Sequence, residues 1–74
     1  MFGFESYPCL YDEEADALYV RLGASPVVRQ VSVTPDIIAD IAEDGEIVGV
    51  EVLSPREHAG QAARWLVRQG IPLV

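Results

Sequence analysis

Hydrophobic and polar positions alternate along the first two thirds of this chain, and the period changes in the last third. In "CLYDEEADALYVRLG", Leu18, Val20 and Leu22 point one way and Tyr19 and Arg21 the other, the period of two of a half-buried strand. The stretch reads as strand, turn, strand, with "DEEAD" as a short loop. Gly23 and Pro26 break the pattern. The β-branched run "VVRQVSV", Val27 to Val33, predicts a third strand, ended by "TPD" at Thr34 to Asp36. In "IIADIAEDGEIVGVEVL", Ile37, Ala39 and Ile41 share one face and Val48, Val50 and Val52 another. Gly49 and Glu51 alternate with those valines, and Asp44-Gly45 is the expected centre of the turn.

From Ser54 the spacing is helical. Ser54 suits an N-cap, Pro55 the first helical position, and Glu57 completes a capping box. Gly70 and Pro72 mark the stop, which predicts a helix over about 55–69. Ala59, Ala62, Ala63, Leu66 and Val67 form one apolar stripe, opposite Glu57, Gln61, Arg64 and Arg68. His58 and Trp65, seven apart, share the flank. The expected fold is α+β and a single domain over 1–74. An antiparallel sheet of four to five strands, built from two hairpins, carries one C-terminal helix packed on it.

Length changes the picture. A chain of 74 residues buries only ~60% of the surface its unfolded form exposes, so it needs outside help: disulfides, a metal or self-association. Cys9 is the sole cysteine, which removes internal disulfides. With His58 the sole histidine, the usual zinc ligand set is missing. Self-association, as a homodimer, is the expected helper, and no cofactor is expected. There is no apolar run of ~18 residues to span a membrane. The start "MFGFESYPC" has neither the basic end nor the apolar core of a signal peptide. A lone thiol without an export signal makes the cytoplasm the expected compartment.

The net charge of −7 is uneven. Residues 1–53 set two arginines against eleven acids, a net of −9, and residues 54–74 set three arginines against one acid, a net of +2. An acidic body repels nucleic-acid phosphate, so no nucleic acid is expected to bind the chain on its own.

The two motifs "YDEEADALYVRL" and "DIAEDGEIVGVEVL" resemble the family labelled domain of unknown function 2283. The matching positions are Tyr11, Asp12 and Asp16 to Val20, then Asp40, Asp44, Gly45 and Val48 to Leu53, so the resemblance covers about 10–53. It implies a small β-rich fold and no particular activity. Members encoded beside small toxin-like proteins imply an antitoxin-like role. Ala42 stands where members often carry Asp.

Several residues invite chemistry and have a plainer reading. Asp12, Glu14 and Asp16 are ligand types that Ca²⁺ or Mg²⁺ prefers, but acids also fill solvated turns and blunt sheet edges. "DIAEDGEIVGVE" places acids at positions 1, 5 and 12 of an EF-hand loop, yet Ala42 replaces the ligand at 3 and strand patterns flank it. Cys9 and His58 could be nucleophile and base, although a free Cys is usually a small buried hydrophobe. The expectation is therefore no catalytic, cofactor or metal residues. Trp65, Arg64 and Arg68, of types enriched at interface hot spots, together with His58 and Tyr19, are the expected interface residues. The protein is expected to be a non-enzymatic interaction module with a basic protein partner, possibilities such as a carboxylate-based cation-binding or catalytic protein and a structural subunit of a larger assembly standing as alternatives.

Overall fold

A computed structural model describes residues 2–73. Five strands precede one helix: β1 Cys9–Asp12, β2 Ala17–Arg21, β3 Val27–Thr34, β4 Ile37–Ala42, β5 Ile47–Leu53 and α1 Pro55–Arg68. All pairings are antiparallel, in the order β1-β2-β5-β4-β3. The expected α+β architecture holds with five strands. A third hairpin, β3–β4, turns at the "TPD" break, where Asp36 N–H donates to Thr34 Oγ1 at 3.1 Å.

The period of two decides which side chains are buried. Leu18 pairs with Val52 and Val52 with Ile37, while Val20 pairs with Val50 and Val50 with Ala39. These rows face α1, and with Ala59, Ala62 and Leu66 they make the core. An extra residue at Val48 shifts the register, so that Asp40 pairs with Gly49 but Ile41 with Ile47. The shift turns Ile47 onto the core side. Phe4, which the alternation does not reach, is fully buried in the same core. The segment before β1 is held by the Tyr7 hydroxyl, which donates to the Pro72 carbonyl.

The helix differs from expectation at its start. Ser54 occupies the N-cap but sits at φ 47°, and its side chain makes no capping bond. Its backbone is committed elsewhere: Ser54 N–H donates to the Asp16 carbonyl at 2.8 Å, and this tie to the β1–β2 turn fixes the conformation. The capping box with Glu57 is therefore not formed through the Ser54 hydroxyl. The end matches expectation. Gly70 N–H donates to Val67 O and Ile71 N–H to Leu66 O, both at 3.0 Å, the paired bonds of a Schellman motif. Of the apolar stripe, Ala59, Ala62 and Leu66 are buried, whereas Val67 is 58% exposed and faces solvent.

Candidate functional site

The acidic stretch 12–16 builds a turn. Asp12 Oδ1 accepts from Glu14 N–H at 3.0 Å and Ala15 N–H at 3.3 Å, an Asx cap. Asp16 Oδ1 accepts from the Tyr11 hydroxyl at 2.6 Å, and this bond to a carboxylate raises the Tyr11 phenol above its ordinary range. In the β4–β5 loop, Asp44 Oδ1 accepts from Glu46 N–H at 2.9 Å. Strands, not helices, flank that loop. Among the described residues, no three His, Cys, Asp or Glu side chains converge as a metal ion would require.

Cys9 and His58 have separate partners. The Cys9 thiol lies 3.4 and 3.3 Å from the Phe4 and Tyr7 carbonyls, and burial pushes its pKa up, away from the reactive thiolate. His58 Nδ1 donates to Leu53 O at 2.8 Å, and Nε2 lies 3.4 Å from Asp36 Oδ2. The histidine thus ties the start of α1 to the β3–β4 turn.

On the sheet face turned away from α1, the register aligns Arg21, Gly49, Asp40 and Gln30 across four strands. Asp40 is only 6% exposed. Its Oδ2 accepts from the Tyr19 hydroxyl and its Oδ1 from Gln30 Nε2, both at 2.8 Å. Arg21 donates to the Tyr19 oxygen at 3.4 Å and to Ser25 O at 2.9 Å. Burial pushes the Tyr19 phenol up; the Arg21 bond opposes that rise and the Asp40 bond adds to it. Tyr19 can cross the sheet because Gly49 has no side chain: a Cβ there would lie 2.2 Å from the Tyr19 oxygen and 3.1 Å from Asp40 Oδ2. The stripe satisfies a buried carboxylate through neutral donors. Of this network the sequence points to Tyr19 as an expected interface residue and to Asp40 only as the first acid of the EF-hand-like stretch. Its meeting with Gln30 and Arg21 depends on strand order, which neither motif shows.

The other expected interface residues divide. Arg64, Trp65 and Arg68 do come together, in a groove of about 370 Å³ between α1 and the β3–β4 hairpin, lined also by Val33, Thr34, Ile37 and Gln61. Trp65 is half-buried and both arginines are exposed. His58 lies nearer the helix start, and Tyr19 is on the opposite sheet face.

The groove borders β3, an edge strand. The sheet's two edges differ. β1 is four residues long, follows Pro8 and ends in an acidic turn, features that protect an edge. β3 is eight residues long and contains no acid. Val27, Val28 and Val31 on it are 40, 57 and 39% exposed. Register shifts place extra residues near each end, leaving Arg29 to Ser32 regular.

No helix among the described residues is long and apolar enough to cross a membrane. Comparison with curated proteins and with solved structures finds no match. The family model described as "Protein of unknown function (DUF2283)" matches residues 10–54, the span that contains β2 to β5 and all of β1 but Cys9, with the Asp40 stripe and the β3 edge, and the chain belongs to that family.

Proposed function

We propose that this protein is a non-enzymatic, cytoplasmic interaction module that works as a homodimer, its copies joined along β3. It presents the acidic β1–β2 turn to a basic protein partner, as an antitoxin-like protein would present itself to a small toxin-like one. The observation that carries the reading is the β3 edge: eight residues, three exposed valines and no acid. Such an edge is a template for strand pairing. Self-pairing also supplies the burial that a 74-residue chain lacks. The turn Asp12 to Asp16 projects four carboxylates, which favours a cationic partner by charge complementarity.

Size-exclusion chromatography with light scattering tests it. The expected mass is twice the 8.1 kDa of one chain, with capture of a co-expressed product of the adjacent gene. The double variant Val28→Lys/Val31→Lys, with an unchanged circular dichroism spectrum, is expected to run at one chain mass. A wild-type monomer at tens of micromolar sinks the reading.

A further inference from the structure

The two ends of the β3 edge carry opposite charge. At its start, Val27 pairs with Ala42, so Glu43 and Asp44 flank that end, beside a hollow they line with Ser25, Pro26 and Val28. At its finish, Thr34 pairs with Ile37, and Arg64 and Arg68 stand over that end beside Trp65. In a chain with twelve acids, neither arginine has a carboxylate within 4.0 Å among the described residues. Glu43 and Asp44 likewise have no cation within that distance among them. The groove and the turn thus carry opposite charges that are not paired within this chain among the described residues.

We infer that the occupant of the β3 edge is a second copy of this chain in antiparallel register, with Arg64 and Arg68 of each copy paired to Glu43 and Asp44 of the other. This rests on the dimer proposed above and specifies how it is built. Antiparallel pairing reverses one strand, which brings the basic end of one copy to the acidic end of its neighbour, twice over by two-fold symmetry. Parallel pairing would set acid beside acid. A two-fold axis through Val31, near the middle of β3, sets Val31 opposite its own image and Arg29 opposite Val33 of the second copy, so that opposed side chains share a sheet face and Arg29 does not meet its own image. It also sets the two irregular ends of the strand against each other.

Charge reversal tests the geometry. Arg64→Glu/Arg68→Glu and Glu43→Arg/Asp44→Asn alter exposed positions, and asparagine keeps the oxygen that caps the Glu46 N–H. Each variant alone sets like charges together at both seams, which is expected to raise the dimer dissociation constant roughly 100-fold. Mixed one to one, the two variants are complementary at both seams, and a mixed dimer within roughly tenfold of wild-type affinity is expected. Light scattering on each variant and native mass spectrometry on the mixture read this out, with circular dichroism as the folding check. Charge-reversed variants that dimerise like wild type, or a mixture that stays monomeric, overturn the inference. If the wild type is dimeric and Val28→Lys/Val31→Lys breaks it while charge reversal does not, strand pairing stands and the reciprocal ion pairs fall. A wild-type monomer overturns both.

Discussion

Under α1 the sheet presents two rows of aliphatic side chains, Leu18–Val52–Ile37 and Val20–Val50–Ala39, whereas its other face carries Arg21, Gly49, Asp40 and Gln30 with Tyr19 laid across them. The first face is held by burial, which is non-directional and scales with area. The second has no helix over it among the described residues and is held by directional bonds to one carboxylate. A core row tolerates a change of shape at a cost set by volume. The polar stripe depends on each partner, because losing one leaves a buried charge short of a donor. A small sheet can therefore keep one face open when a few side chains span its strands.

The aliphatic face should give way most. Leu66 is fully buried, and Leu66→Ala is expected to cost about 2–5 kcal/mol, enough to leave much of the protein unfolded; urea denaturation measures it. On the open face, Gly49→Ala is expected to cost about 1–3 kcal/mol, because the new methyl displaces the Tyr19 hydroxyl from Asp40. Adding Tyr19→Phe to Gly49→Ala should then cost far less than Tyr19→Phe does alone. Full additivity in that cycle would show that the two residues are not coupled.

Tyr19→Phe alone is expected to cost about 1 kcal/mol at neutral pH and to flatten the alkaline limb of stability. The Tyr19 phenol sits above its ordinary 10.0 in the folded state. Between those two values the folded chain holds a proton that the unfolded chain has released, so stability falls as pH rises. Its contribution is complete below pH 10 and is lost as pH rises through the folded value. An unchanged alkaline limb in thermal melts of the variant would count against this. The smallest effect belongs to Ser54. Its side chain caps nothing, so Ser54→Ala should change stability by less than about 0.5 kcal/mol, against ~1 kcal/mol for a working cap. Ser54→Gly, which accepts φ 47° freely, should be the more stable of the two.

The aliphatic face was legible in the sequence because alternation is a local signal. Leu18, Val20, Val50 and Val52 announce a buried face without reference to any other strand. Strand order is not local, so nothing in "ALYVRL" or "IIADIA" shows that Tyr19 will reach Asp40 across Gly49. Gly49 read as a gap in a valine run and proved to be the space that admits the tyrosine ring. The helix stop was legible because Gly70 and Pro72 act on the backbone directly. The cap was misread because Ser54 N–H is claimed by Asp16, thirty-eight residues earlier in the chain. Phe4 lies outside any repeating pattern, so its place in the core followed only from the packing. Of the expected interface residues, Arg64, Trp65 and Arg68 are neighbours along α1 and line one groove. Tyr19 and His58 belong to other surroundings.

β5 is the last strand in the chain and lies in the middle of the sheet. Until residue 53 has been synthesised, the β1–β2 and β3–β4 hairpins have no strand to join them, and each exposes an edge that the finished protein covers. β2 and β4 are then open to pairing with other chains, and only the arrival of β5 closes both at once. The protein therefore has a single late step that turns two sticky hairpins into one sheet. Substitutions that delay this step, in the valines of β5 above all, should appear as aggregation during synthesis before they appear as lost stability in the folded protein.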